Sequence, residues 1–569
     1  MKNTKNIKTR TGRATVKAIR RFAILLSALA FPLAGAVSQE ALCSTAENYY
    51  EFESLVGNAE REYLNYRTLS DSRWSLKDPG KAIWNGRDFG SSRDFAENLT
   101  FRVYGPDLYS SYNSAAPYGQ NDGALWQGKG LNSSLTAGTR LEGFGFEITI
   151  KPHISFSQNL AFDLVDPAYS GSSYKDKADV YGYYGVWSVD APQRFGDDPF
   201  LTFSWGDSEI RYSWKTLTIG FGTQAIWLGP AKINSIIHSN NAPPYPKLDA
   251  GIRKQPVYAF GHDLGFVESR LWCGYLSESD YFDNDSSNDH TMISGLAFSF
   301  APSFLPGLTL SANRTYRSKW ERDSVGTIPS LFFVTPGGRG DDDVWDQRAA
   351  FSFSWLFTSV GLEVYGEMGI NDWVVGHLGY IRYPFHTAVY TGGLVKSFNT
   401  RNPSVRGEIV FEWTNLELSQ DFQFQWPSTF YAHHLITQGY TNQGQWLGAG
   451  IGTGGNSQYL GCTIYYPVGA STVFVYRVNP DNDYLYQHSI NTVPDEDEQT
   501  PTGTAFDFFR FKCSFSVGAK TLYHLTESMD ISGSIVYDLI INPQYRFSSP
   551  FNSVMMNNFS LSFGASKYF

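Results

Sequence analysis

The chain has 569 residues, a formal net charge of −10 and a high aromatic content, with 42 Phe, 35 Tyr and 15 Trp beside 53 Gly and only 18% charged residues. The acidic balance excludes nucleic acid as a main partner. Past the N-terminal leader no run of ~18 apolar residues is available to cross a membrane as a helix. Four widely spaced cysteines, Cys43, Cys273, Cys462 and Cys513, give neither a disulfide framework nor metal-ligand spacing.

Residues 1–38 read as a signal peptide. Basic residues from Lys2 to Arg21, with no acidic residue among them, lead into the apolar run Phe22–Val37, and small residues mark a cleavage site at Ala36-Val37-Ser38. Eight of the 45 basic residues leave with it, so the mature chain carries about −18. Residues 39–95 read as a short periplasmic helical segment. Between Thr45 and about Leu76, Tyr49, Phe52, Leu55 and Val56 share a face, and Tyr63, Leu64 and Tyr66 continue the apolar character. Glu47 after Ser44-Thr45 fits a helix start, and Lys77-Asp78-Pro79-Gly80 ends the segment.

From Ala96 to Phe569 the period changes to two. Leu135, Ala137, Thr139 and Leu141 alternate with Thr136, Gly138 and Arg140; Glu142-Gly143 reads as a turn; Phe144, Phe146, Ile148 and Ile150 then alternate with Gly145, Glu147 and Thr149. One greasy and one polar face is what lipid outside and a wet lumen inside require. Similar runs recur at 210–221, 266–276, 308–316, 349–357, 362–368, 405–418, 463–466, 472–478, 508–517 and 531–539. The fold class is therefore all-β, a transmembrane antiparallel β-barrel of about 18 strands at roughly 26 residues per strand and connection. The closing alternation Phe559, Leu561, Phe563, Ala565 and the final Phe569 fit the signal read by the barrel-assembly machinery. A soluble propeller would show a repeat period, and none is visible. The acidic stretches 280–290, 337–346 and 479–501 read as outward-facing loops, since barrels keep their periplasmic turns short.

Three segments depart from strand and turn grammar. In Phe221–Ala250 a strand-like run ends at Ile226-Trp227-Leu228, Gly229-Pro230 breaks it, and Ile233, Ile236 and Ile237 recur at one-turn spacing. Asn234, Ser235, Ser239, Asn240 and Asn241 surround them before Pro243, Pro244 and Pro246 force an extended exit. Tyr118–Gly128, with Gln120, Asn121, Asp122 and Trp126, mixes amides, a carboxylate and an indole; Gly439–Trp446, with Gln445, does so again. Sugars present hydroxyls to amides and carboxylates and C–H faces to aromatic rings. Carbohydrate contact is thus expected at Trp227, Asn234, Ser239, Asn240, Asn241, Gln120, Asn121, Asp122, Trp126 and Gln445. Amides that bond one another inside a crowded lumen would give the same sequence pattern.

No catalytic constellation holds together. HExxH, GxSxG and Walker patterns are missing from the sequence, and Gly450–Gly455 fits GxGxxG but leads into a strand-like run rather than a helix. His433-His434 on a strand would point to opposite sides. The expectation is a protein without catalysis, cofactor or metal.

The stretch WLGPAKINSIIHSNNAPPYP, from Trp227 to Pro246, resembles the central signature of the capsule-assembly Wzi family of bacterial outer-membrane proteins. Asp346-Gln347-Arg348, followed by Glu363-Val364-Tyr365-Gly366-Glu367 and Asn371-Asp372-Trp373, is similar to a second family block. Tyr431–Leu460, with its GYTNQGQWLG and NSQ runs, is similar to a third. The resemblance implies an 18-stranded barrel with a small helical part at the periplasmic end. It also implies lectin-like binding of an anionic or neutral surface polysaccharide, helping to attach capsule to the cell. The partners expected are that polysaccharide, outer-membrane lipid and the assembly machinery, with the protein a monomer; a porin or transporter is the alternative.

Overall fold

The computed structural model describes residues 44–68, 74–87, 89–165, 181–185, 188–283, 285–332, 345–371, 385, 387–417, 429–483, 511–545 and 554–569. The expected leader and most of the acidic stretches 337–346 and 479–501 lie outside these residues.

Helix α1, Thr45–Leu55, starts where Ser44 accepts the N–H of Glu47 on its hydroxyl, and closes at Val56. The helical reading to Leu76 is therefore corrected. Gly57, at φ +79°, turns the chain out of the helix, and Tyr66–Thr68 is extended. Its apolar residues pack from an irregular segment, which helical spacing alone does not distinguish from a helix.

Eighteen strands form a closed antiparallel barrel. In chain order they are β1 Leu99–Asn113, β2 Gly130–Gly143, β3 (Phe146–Ile150 and His153–Ser157), β4 (Phe200–Ser204 and Glu209–Trp214), β5 Leu217–Gly222 and β6 Lys247–Ala259. The series continues with β7 His262–Ser277, β8 His290–Pro302, β9 Leu308–Lys319, β10 Trp345–Phe357, β11 Leu362–Asn371 and β12 Val389–Asn399. It ends with β13 Arg406–Asn415, β14 Asn456–Tyr466, β15 Gly469–Asn479, β16 Cys513–Thr526, β17 Met529–Ile541 and β18 Met555–Lys567. β3 is interrupted at Lys151-Pro152, where proline lacks a ladder donor, and β4 breaks opposite it, with Lys151 bridging Gly206. The barrel closes where β18 pairs with β1, from Ser560 opposite Asn113 to Ser566 opposite Asp107.

Each strand sorts its residues by parity. On β2, Leu131, Leu135 and Leu141 are exposed on the outer surface, whereas Asn132, Ser134, Thr136 and Arg140 are buried in the lumen. An outer surface of Leu, Phe, Ile and Val is stable only against hydrocarbon, so the strands span a membrane. The described residues contain no helix long and apolar enough to cross one.

One barrel end carries tight turns. Phe144-Gly145 and Phe260-Gly261 both have positive φ, 53° and 85° in the first, 52° and 80° in the second. That is the geometry whose twist matches antiparallel strands. The turn expected at Glu142-Gly143 thus falls two residues later, and the single run 210–221 is a hairpin that turns at Lys215-Thr216. Helix α1 packs at this end: Phe52 stacks with Tyr465, Tyr49 lies tilted against the same ring, and the indole N–H of Trp84 donates to the Tyr466 carbonyl at 2.9 Å. The opposite end carries the long connections, including the acidic 280–290.

Candidate functional site

The segment between β5 and β6 runs into the lumen instead of over the rim. Ile226–Leu228 pairs antiparallel with Tyr66–Thr68, so N-terminal segment and inserted loop share a small internal ribbon. Trp227 in this ribbon has 0% exposure, donates its indole N–H to the Ala231 carbonyl at 3.1 Å and lies under the Arg67 guanidinium. Beyond Gly229-Pro230 the chain makes a series of bends rather than the helical turn that its isoleucine spacing predicts; Ile236 and Ile237 are buried, and Ile233 is half-buried.

A run of bends leaves backbone N–H groups without helical or ladder partners, and buried donors need acceptors. Carboxylates on the barrel wall supply them. Glu367 on β11 accepts the N–H groups of Ala231 and Ile236, both at 3.0 Å. Glu412 on β13 accepts those of Lys232 at 2.6 Å and Asn234 at 2.7 Å, together with the Tyr365 hydroxyl at 2.8 Å. Glu268 on β7 accepts three successive N–H groups, of Leu64, Asn65 and Tyr66. Glu363 holds Arg61 through two bonds of 2.6 and 2.7 Å. Gly229, at φ +95°, lies so close to the Glu367 carboxylate that a Cβ there would overlap it. Arg348 on β10 donates to the Phe430 carbonyl at 2.8 Å, pairs with Asp346 at 2.5 Å and lies over the Tyr440 ring. The blocks DQR and EVYGE therefore contribute the wall side of the attachments that hold the lumenal segments.

The three amide-rich segments meet inside this frame and bond one another. Gln120 donates to the Asn234 side chain at 2.6 Å, and Asn121 to the Ile233 carbonyl at 2.9 Å. Asn241 accepts the Asn121 N–H at 3.0 Å and donates to the Trp446 carbonyl at 3.1 Å. The Ser239 hydroxyl donates to the Gly448 carbonyl at 2.6 Å. Gln445 donates to the Gly123 carbonyl at 3.0 Å, while the Asn240 carbonyl accepts the Gly123 N–H at 2.9 Å. Together these segments form a plug.

Beside the plug a cavity of about 640 Å³ remains, bounded by the plug and mainly by β13–β18. It reaches from Asp163, Pro480 and Gln544 at the long-loop end to Thr45 and Trp84 at the helical end. Gln120, Asn121, Asp122 and Trp126 line it; Trp227, Asn234, Ser239, Asn240, Asn241 and Gln445 stand behind that lining. Burial raises the Asp122 carboxyl to about 7. Lining residues that the sequence reading did not single out are Tyr459, Phe474, Tyr476, Lys512 and Lys520. Their phase against exposed Leu460, Val473, Val475 and Val517 is the signal that places them inward.

The lower part of the cavity is charged but internally paired. Arg61 bridges Glu51 and Glu363, and Lys232 bridges the same two carboxylates. His433 and His434 are not on a strand: they lie in a bend with rings 4.7 Å apart, and burial lowers the His433 imidazole to about 4. Among the described residues no group of three His, Cys, Asp or Glu is arranged to hold a metal ion. The 450–455 glycine stretch is a turn leading into β14, as its sequence context required. Cys273, Cys462 and Cys513 are free, half-buried thiols on strands.

Fold and site together define a membrane-spanning β-barrel of the outer-membrane type whose lumen is filled by a wall-latched plug. The model of the capsule assembly protein Wzi family matches residues 118–523. The chain belongs to that family. Among solved structures it is similar to Wzi of Escherichia coli, an outer membrane protein involved in group 1 capsule assembly and a carbohydrate-binding β-barrel. The two share 12% identity and a TM-score of 0.55 over 94% of this chain and 100% of that one. OprB of Pseudomonas putida, with 9% identity and a TM-score of 0.35, covers 83% of this chain and 94% of its own. OccD3 of Pseudomonas aeruginosa, with 10% identity and a TM-score of 0.37, covers 84% of this chain and 93% of its own. No curated protein sequence matches the chain.

Proposed function

We propose that this protein is an outer-membrane barrel that binds cell-surface polysaccharide and helps attach or assemble it at the cell surface, without covalent chemistry. The observation that carries the reading is the cavity beside the plug. Half-buried Tyr459 and Tyr476 line it with aromatic side chains, and Gln120 and Asp122 line it with an amide and a carboxyl group. Stacking faces and fixed hydrogen-bonding groups are what a sugar ring needs, and repeated weak contacts add up along a polymer. Family membership points the same way. In this reading residues 1–38 are a leader removed on export, and residues 39–95 brace the periplasmic end. Residues 96–569 are the barrel, inserted by the assembly machinery and surrounded by lipid as a monomer. The test is co-sedimentation of the purified protein with polysaccharide extracted from its own host's envelope. The reading requires retention of the protein with the polymer; failure to bind any glycan of that envelope overturns it.

A further inference from the structure

The connection that follows β9 lies on the outside of the barrel wall. On β9 the lumenal residues are identified by their partners: Asn313 bonds Asn65 at 2.7 Å, Thr315 bonds Tyr440 at 3.0 Å, and Arg317 lies 3.7 Å from Asp346. Arg314, Tyr316 and Ser318 alternate with them and face outward, as do Met292 and Ser294 on β8 and Gln347 on β10. Outward residues of a bare wall are exposed, yet Tyr316 is 1% and Ser294 0% exposed, and Met292 and Ser318 are also buried. The cover is the 3-10 helix Arg322–Phe332, which packs on β8 and β9 and buries its own Leu331. The Arg314 guanidinium donates to the Ser330 carbonyl at 3.2 Å and to the Gln347 side chain at 2.8 Å, which ties helix to wall.

The level of this cover follows from the residues above it. Tyr275, His290 and Trp320 form an aromatic cluster on the outer wall, with ring centres 4.7 Å apart in both contacts. Such rings favour the headgroup level of a bilayer. From Lys319 down to Arg314, five residues at ~3.3 Å each on a strand tilted by ~45° descend roughly 12 Å, well into the apolar band. Charge divides at the same height. Lys319, Glu321, Arg322 and Asp323 crowd the start of the segment, whereas 324–332 contains no charged residue. Its outer side shows Pro329, Val325 at 57% exposure and Phe332 at 60%. Chain immersed in hydrocarbon must satisfy its own backbone groups, which a helix does and an open loop does not.

We propose that 320–332 is a strap immersed in the outer leaflet, whose outer face takes the acyl chains of that leaflet. Its inner face seals a polar strip of the wall, Arg314, Gln347, Ser294 and Ser318, from lipid. Continuity decides the occupant: Phe298, Leu310 and Phe351, exposed on the same three strands, form the lipid-facing surface that the strap extends. A bare guanidinium and amide at this depth are costly, and the strap both covers Arg314 and supplies its acceptor.

The test uses single cysteines in a background with the four native ones replaced by serine, each carrying an environment-sensitive fluorophore. V325C and F332C report on the strap, F298C on the lipid-facing wall and S286C on an exposed outer loop. Proteins are reconstituted in phosphatidylcholine vesicles with or without bromine on the acyl chains. The labels at 325 and 332 should be quenched nearly as strongly as that at 298, and at least ~3-fold more than that at 286, as apolar-band and aqueous positions require. Quenching at 325 and 332 no greater than at 286 overturns the proposal, and disulfide cross-linking of V325C between copies would then give that face to a second copy. A second measurement addresses the seal. Replacing 322–332 by a Gly-Ser link of equal length should lower the temperature at which the barrel loses its heat-modifiable mobility, and R314L/Q347L in that variant should recover most of the drop. No drop, or no recovery, overturns the sealing role.

Discussion

At the scale of single residues, Glu412 shows how a charged side chain can be structural. Its two oxygens accept the N–H groups of Lys232, Ile233 and Asn234 and the Tyr365 hydroxyl, all inside the lumen. A carboxylate can accept about four such bonds, whereas an amide of the same shape offers one acceptor oxygen and two donors. Glu412→Gln therefore leaves at least one buried N–H facing another donor, a loss of about 2 kcal/mol of plug docking. Hydrogen exchange should report it: amides of 231–236 should exchange ~10–30-fold faster in Glu412→Gln, while β14–β17 keep their protection. Unchanged exchange at 231–236 would show that the plug is held by packing alone. Trp227 belongs to the same category. With its ring under Arg67 and its N–H engaged by Ala231, it anchors the ribbon, and the cavity lies elsewhere.

At the scale of elements, the outer loops carry a pH dependence of definite sign. Asp190 is buried and accepts both the N–H and the hydroxyl of Ser279, at 2.6 and 2.5 Å, which ties the 188–196 segment to the loop after β7. Burial raises its carboxyl to about 7. Burial, with Asp190 and Asp283 next in effect, raises Glu278 to about 9, against a weaker pull from Arg317. A carboxyl whose folded pKa is raised stabilises fully below its unfolded pKa, near 4, and loses that contribution as pH climbs through the folded value. The loop contact should therefore be firmer at pH 5 than at pH 9. We expect the Ser279 amide, corrected for intrinsic exchange, to open about tenfold more readily at pH 9, the equivalent of one pKa unit. Asp190→Asn should remove the Asp190 share of that slope and leave the Glu278 share, and a slope of opposite sign would contradict the assignment.

These elements also mark what sequence could and could not convey. Alternation exposed the barrel because lipid on one side and water on the other enforce a period of two, and β2 follows it residue by residue. Hairpin positions slipped where the turn itself contains a large apolar residue, as at Phe144-Gly145, since the alternation runs on through the turn without a visible break. The helix was overextended because Tyr63, Leu64 and Tyr66 bury apolar surface in the lumen from irregular chain. The amide-rich segments were recognisable as a set; that they bond mainly one another depends on contacts between residues a hundred or more positions apart. Phe474, Tyr476 and Lys520 could be placed inward only by their phase against exposed neighbours such as Val475 and Val517.

At the scale of the whole molecule, wall and plug are one hydrogen-bonded system. An empty barrel of 18 strands leaves a water-filled channel. Here Glu268, Glu367 and Glu412 project from three different strands to fix the backbone that fills it. Beside the plug lies the cavity of about 640 Å³, lined at the helical end by the Glu51–Arg61–Lys232–Glu363 network. The porin alternative and the plugged binder thus differ in ionic current. In planar bilayers the parent should conduct less than a variant in which 229–241 is replaced by a short Gly-Ser link, because that variant loses the segment to which the 118–128 and 439–448 segments are bonded and so widens the lumen. Heat-modifiable electrophoretic mobility shows whether the shortened variant still forms a barrel. A parent conductance equal to that of a folded, plug-deleted variant would mean that the plug does not obstruct the lumen, and the transport reading would then take precedence over the binding one.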